Sequence, residues 1–379
     1  MTRLRGALTN VCIVVTMALV IGVGLEGTAR LLSAAWQASP PLLEHSAKNA
    51  LLLKQPWGAQ HLADTGAGPL DQYVPYVEFR EREYTSATLN VDRQGRRRVP
   101  GSCERDDKVT VMAFGGSTMF GAGVPDEHSI PAYLAAGLNR DGRCVSVVNY
   151  GSSWWQSSQS MIQLIEALKH GARPAIVIFY DGINEVNAVT FGGVAGGIAP
   201  DVAAVFAQVF DPDDVRGWGR VARHSLLVRT LTAWLLPSRH KTADNDYVPA
   251  EADRPASIRA LVDIYAANVG MVTVLAKEFG FTAHFFLQPV PMIAGKHLTP
   301  LEEAAFQERA RVRGWEREWF REAYRGFVAH PGLQGLPNFS DISGIFDGIR
   351  EELYLDSEHL LPEGNRLVAE RIIQELTLP

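Results

Sequence analysis

Metal-binding patterns are missing from this chain. None of its ten histidines sits in an HExxH or HxH pattern, and no CxxC occurs. No metal site and no cofactor are therefore expected. Basic charge is not in excess either. The 36 Lys and Arg stand against 42 Asp and Glu, for a net charge of −6, so no nucleic-acid partner is expected. No internal repeat is visible, and Gly and Pro are scattered rather than clustered. Cysteine is scarce: Cys12, Cys103 and Cys144 are the three.

Long apolar runs are also few, and the longest stands at the start. Arg3 and Arg5 precede an uncharged stretch from Gly6 to Leu25 that contains VCIVVTMALVIGVGL. About 20 apolar residues in a helix match the thickness of a bilayer core. Only Thr9, Asn10 and Thr16 interrupt it, too few for the polar face of a soluble helix. The positive-inside rule puts Arg3 and Arg5 in the cytoplasm and the body of the chain outside the cytoplasmic membrane. The other reading is a cleaved signal peptide ending near Ser33, Ala34 and Ala35, against which stand the run's length and the charges of Glu26 and Arg30. Both export the protein. Cys103 and Cys144 each precede an apolar run, so adjacent parallel strands would bring them to one end of a sheet. An oxidising compartment permits a disulfide there, and two unpaired thiols are the alternative.

From Lys108 onward the pattern is that of an α/β domain. The segments 109–114 (VTVMAF), 145–150 (VSVVNY), 175–180 (AIVIFY) and 282–287 (TAHFFL) are near-continuously apolar. Strands buried on both faces of a parallel sheet read this way. Helical periodicity fills the intervals at about 130–138, 157–170, 257–279 and 362–376, which gives a doubly wound α/β fold. Residues 1–5 read as a cytoplasmic tail, 6–26 as a transmembrane signal-anchor, 27–107 as a stalk and small lead-in segment, and 108–379 as the main domain. An insertion at 188–256 reads as a lid over a site, with a plain peripheral helical pair as the alternative. The run Arg96, Arg97, Arg98 reads as a solvated face, with contact to acidic polymers or lipid headgroups as the alternative.

Ligands of open α/β sheets bind at the carboxyl ends of the strands, and these ends carry chemistry here. Ser117 comes just after the first strand in AFGGSTMFGAG. Gly151 ends the second. The third ends in YDGINE, with Asn184 as a side-chain donor. Far downstream, DSEHL places Asp356 and His359 three residues apart. A Ser hydroxyl needs a general base, which His359 supplies, and Asp356 can hold the imidazole in the correct tautomer. The N–H groups of Ser117 and Gly151 and the amide of Asn184 would stabilise a tetrahedral oxyanion. Asp181 reads as a structural carboxylate bonded to loop amides. Trp154 and Trp155 either line a sugar- or acyl-binding cleft or pack internally.

In this set GGST at 115–118, Gly151, GINE at 182–185 and DSEH at 356–359 resemble blocks I, II, III and V of the SGNH (GDSL-type) hydrolases, in the family's order along 108–379. The resemblance implies a three-layer α/β/α fold with five parallel strands in the order 2-1-3-4-5, the fifth near 341–346. It also implies catalytic Ser117, Asp356 and His359, with Gly151 and Asn184 in the oxyanion hole. Two positions depart from the pattern: GGST lacks the Asp of GDSL, and Glu185 replaces the Asp of GxND. Neither touches the three catalytic candidates, but both weaken any inference to a particular substrate. The expected activity is ester hydrolysis on an extracytoplasmic acylated glycan or small ester. O-acyl transfer to an envelope glycan and a non-catalytic role in an envelope complex are the alternatives.

Overall fold

The computed structural model of the chain describes residues 13–14, 16–17, 21–31, 46–66, 71–192, 195–196, 225, 249–293, 295–313 and 317–377. The chain divides into two units, Met1–Leu43 with Ala204–Asp244 and Glu44–Ala203 with Asn245–Pro379. Of the first unit, residues 21–31 are helical, with Ile21, Val23, Leu25 and Leu31 exposed.

The second unit opens with helices α1 (Ala47–Leu53) and α2 (Gly58–Thr65). Two hairpins come next, β1 (Asp71–Val74) with β2 (Glu78–Glu81) and β3 (Tyr84–Thr85) with β4 (Asn90–Val91). The main domain then runs through β5 (Val109–Gly115), the single turn α3 (Ser117–Phe120), α4 (Ile130–Leu138), β6 (Val145–Asn149), α5 (Ser157–Lys169), β7 (Ile176–Asp181) and α6 (Ile183–Gly192). It closes with α7 (Arg254–Phe279), β8 (Thr282–Leu287), α8 (Pro300–Arg313), α9 (Arg317–Ala329), β9 (Phe339–Asp341) and α10 (Pro362–Glu375).

Five strands pair in the order β6-β5-β7-β8-β9, every pair parallel. This is the order 2-1-3-4-5. Alternation along each strand sends neighbouring side chains to opposite faces. Met112, Phe114, Val177, Phe179, Phe285 and Leu287 share one core with Leu164, Leu261, Tyr265 and Phe327 of the helices on that side. Val111, Ala113, Val147, Ile176 and Ile178 share the other with Ile130, Leu134, Val368 and Ile372. Two apolar faces need two helical covers, and three layers result. Register puts Phe114 beside Phe179 and Phe179 beside Phe285, and their rings stack at 5.3 and 5.2 Å.

The fifth strand differs from expectation. It ends at Asp341, whose carboxylate accepts the N–H of Ser343 at 2.9 Å and turns the chain. Ile342 and Phe346 are apolar because they fill the second core from turns. The stalk expected before residue 107 is also revised, since α1 and α2 are docked. Leu51 and Leu52 of α1 are buried with Ala305, Leu355 and Leu361, and Glu308 of α8 accepts the Ala47 N–H at 2.9 Å.

The basic run is not a uniform solvated face. Arg97 is buried, bridges Val91 and Asn149, and so ties the β3–β4 hairpin to the edge strand β6. Cys103 and Cys144 form a disulfide with Cα atoms 5.2 Å apart, beside the Val109–Val145 pairing that starts β5 and β6.

Among the described residues, the one helix long and apolar enough to cross a membrane is α7. It packs Leu261, Tyr265, Val269 and Val272 into the first core. The anchor read at 6–26 lies mostly outside the described residues. So does most of the 188–256 lid, of which 188–192 complete α6 and 254–256 open α7.

Candidate active site

The site forms at the carboxyl ends of β5 and β7, where the chain order of the sheet reverses. Ser117 is the first residue of α3. Its N–H therefore belongs to the first turn, where donors have no partner within the helix. The preceding Gly116 is required sterically: a Cβ there would lie 2.2 Å from Asn184 Nδ2 and 3.2 Å from the Trp155 carbonyl. The other end of α3 is pinned by Arg97. Its guanidinium donates to the carbonyls of Phe120 at 3.1 Å and Val124 at 2.6 Å and pairs with Asp126 at 2.8 Å. Helix ends leave carbonyls without intrahelical partners, and a buried cation satisfies them.

His359 reaches the same place from a tight loop. Tyr354 and Leu360 form an antiparallel bridge, and the Leu355 N–H donates to the His359 carbonyl at 2.8 Å. Within this loop Asp356 Oδ1 accepts the N–H groups of Glu358 at 3.0 Å and His359 at 2.9 Å. That local turn is what a three-residue offset supplies, because it folds the carboxylate back onto the ring. Both Asp356 oxygens lie 2.9 Å from His359 Nδ1, and His359 Nε2 lies 2.8 Å from Ser117 Oγ. Asp356 and His359 are buried. A further partner arrives from outside the main domain: Lys48 Nζ of α1 donates to Asp356 Oδ2 at 2.7 Å.

Asp356, Glu358 and His359 lie close enough together to hold a metal ion. Both imidazole nitrogens are engaged within the protein, however, Nδ1 by Asp356 and Nε2 by Ser117. The arrangement suits proton transfer rather than metal ligation.

The other expected site residues separate into different roles. Asn184 lies beside the nucleophile turn, and its Nδ2 donates one hydrogen to the Trp155 carbonyl at 2.8 Å. The Gly151 N–H donates to Asn149 Oδ1 at 2.8 Å, so it is turned toward a side chain. What Gly151 provides is space, since a Cβ there would meet the Phe120 nitrogen at 2.4 Å.

Trp155 is not a cleft wall. It is 0% exposed, its Nε1 donates to the Phe79 carbonyl at 2.8 Å, and the Arg80 guanidinium lies 5.1 Å above its ring. Its carbonyl, not its ring, serves the site by orienting Asn184. Trp154 is half-buried against the first core and holds a left-handed backbone with φ of 63°. That conformation is uncommon for a bulky residue and costs energy.

Asp181 also differs from expectation. Glu185, not Asp181, accepts the loop amides, those of Ser157 at 2.6 Å and Gly182 at 2.9 Å. Among the described residues neither oxygen of Asp181 has a hydrogen-bond partner. Burial, together with the Glu185 charge as the lesser cause, raises the Asp181 carboxyl well above its usual range, and burial also raises Glu185.

Sequence reasoning missed Lys48 and the parts played by buried Arg97 and Glu81. Glu81 of β2 accepts from Ser152 Oγ and the Ser153 N–H, each at 2.7 Å, and so buttresses the loop that carries Trp155. Glu81 closes the short EFRE run at 78–81, and that strand-like run was the available signal for it. For Lys48, 308 residues from its partner, there was none.

No family model and no curated protein matches this chain. Among solved structures it is similar to the acetyl xylan esterase AlAXEase, with 13% identity, a TM-score of 0.39, and coverage of 71% of this chain and 100% of that one. It is also similar to a putative arylesterase from Agrobacterium tumefaciens str. C58, with 16% identity, a TM-score of 0.37, and coverage of 70% and 97%. A third is Axe2, an acetylxylan esterase from Geobacillus stearothermophilus, with 14% identity, a TM-score of 0.34, and coverage of 72% and 95%. These structural neighbours are esterases at low identity, a likeness with no bearing on which bond or substrate this chain acts on.

Proposed function

We propose that the chain is a serine ester hydrolase with Ser117 as nucleophile. The observation that carries this reading is the continuous hydrogen-bonded series from Ser117 Oγ through His359 to Asp356, at 2.8 and 2.9 Å. In the proposed cycle His359 Nε2 takes the Ser117 proton as Oγ attacks the ester carbonyl. Asp356 keeps the Nδ1 proton facing itself and stabilises the imidazolium. The Ser117 N–H and the second hydrogen of the Asn184 amide receive the oxyanion. His359 then protonates the leaving alcohol, and water, deprotonated by the same imidazole, frees the acyl group.

The substrate class we infer is an O-acetyl or other small acyl ester on an extracytoplasmic glycan. The uncharged run after Arg3 and Arg5 supports a single N-terminal anchor with the second unit outside the cytoplasmic membrane. The Cys103–Cys144 disulfide supports an oxidising compartment.

The test uses p-nitrophenyl acetate with wild type and Ser117→Ala, matched by circular dichroism. The expected outcome is turnover by wild type and a loss of at least about 10³-fold in the variant. Turnover that rises with an added glycan, with acetyl appearing on the glycan, would assign O-acyl transfer instead. Equal rates from both proteins would leave the chain as a non-catalytic module.

A further inference from the structure

We propose that Lys48 acts on the Ser117–His359–Asp356 series through Asp356, and that its charge sets the acid end of the pH range in which Ser117 is activated. The inference rests on the ester-hydrolase reading of that site.

Lys48 is delivered by a helix outside the α/β domain, yet the delivery is firm. Leu51 and Leu52 sink into a core with Ala305, Leu355 and Leu361. Glu308 of α8 accepts the Ala47 N–H and the Ser46 hydroxyl, at 2.9 and 3.0 Å. The Lys48 side chain is 36% exposed and Asp356 only 1%. A half-exposed lysine side chain thus ends with its ammonium on a buried carboxylate.

Asp356 does not need this contact for orientation. Its own loop already fixes it through the N–H groups of Glu358 and His359. What Lys48 adds is a positive charge on the oxygen that also serves His359. A carboxylate alone favours the imidazolium, and a cation upon it opposes that effect.

The surrounding charges do not duplicate this role. Glu302 of α8 bonds the Leu353 and Tyr354 N–H groups and is matched by Lys296 at 2.7 Å. Glu358 is buried with a carboxylate oxygen within 4.8 Å of Asp356 and His359, an acidic group that cannot replace a cation, and Glu308 is occupied at the start of α1. His61 of α2 is lowered to about 4, chiefly by burial, and is neutral over the relevant range. The α3 turn contributes no charged side chain.

The experiment measures the second-order rate at which a fluorophosphonate labels Ser117, from pH 5 to 9, in the full chain in detergent. Wild type, Lys48→Met, Lys48→Gln and Lys48→Arg are compared. In both neutral variants the acid limb should move up by about 0.5–1 pH unit, a roughly three- to tenfold loss of rate at a fixed pH on the limb. Their high-pH plateaus should stay within about threefold of wild type, and Lys48→Arg should overlay wild type. Neutral variants that overlay wild type overturn the proposal. So does an equal loss at every pH that Lys48→Arg fails to restore, which marks a packing role. Wild type that labels normally with unshifted variants sinks Lys48 alone, whereas wild type that never labels sinks the hydrolase reading and Lys48 with it.

Discussion

At the residue scale, the donors around the nucleophile turn are unequal. Asn184 stands beside Gly116 with one hydrogen held by Trp155, while the Gly151 N–H is turned to Asn149. Asn184→Ala should therefore lower kcat on p-nitrophenyl acetate by about 10²–10³-fold with little change in KM, since the amide acts on charge present only in the transition state. A change confined to KM would remove it from that role.

Asp181 makes a second prediction. Burial and the Glu185 charge raise its carboxyl, so the folded chain keeps a proton there that the unfolded chain releases. Stability from this group is fully present below about pH 4, the unfolded range, and is lost as pH rises toward the folded value. Asp181→Asn is neutral at every pH and escapes that loss. Its melting temperature should exceed that of wild type by at least about 2 °C at pH 7–8, and the gap should close toward pH 4. An unchanged gap across that range would contradict the assignment.

At the element scale, legibility tracked the length of the periodic signal. Strands β5 to β8 and helices α4, α5, α7 and α10 stand close to where apolar runs and helical spacing put them. Each buries a long face, and tertiary packing reinforces the local pattern. The lead-in did not read the same way. Its helices are short, α1 with seven residues and α2 with eight. Its strands are pinned by buried charges, Glu81 and Arg97, that composition assigns to the surface. A buried Arg is recognised only when its partners are known, and those of Arg97 lie 23 to 29 residues away.

The disulfide belongs to this scale as well. Its two cysteines lie 41 residues apart, and they bind the end of the lead-in to the start of β6. A loop of that length implies about 2–4 kcal/mol from restricting the unfolded chain. Replacing both cysteines by serine should lower the melting temperature, and reductant should lower that of wild type to match. A variant melting at the wild-type temperature would assign the bond no stabilising role.

At the scale of the whole molecule, the candidate site was legible because its parts come from strand ends. A doubly wound sheet gathers the turns after its strands at one edge, so Ser117 after β5 and Asn184 after β7 meet without sequence proximity. The DxxH spacing was legible because it folds into a local turn. Roles that depend on which way a group faces were not. The tryptophan pair reads identically as cleft or core until Trp155 is seen bonded to Phe79. Lys48 is one of seven lysines until α1 is seen docked on α8.

The most direct measurement is peptide mapping by mass spectrometry after exposure of the folded full chain to a fluorophosphonate, with His359→Ala alongside. Activation of Ser117 by His359 requires a single adduct on the peptide that carries Ser117, with labelling in His359→Ala slower by at least about 10³-fold. No adduct on Ser117, or an adduct formed equally fast without His359, would contradict it.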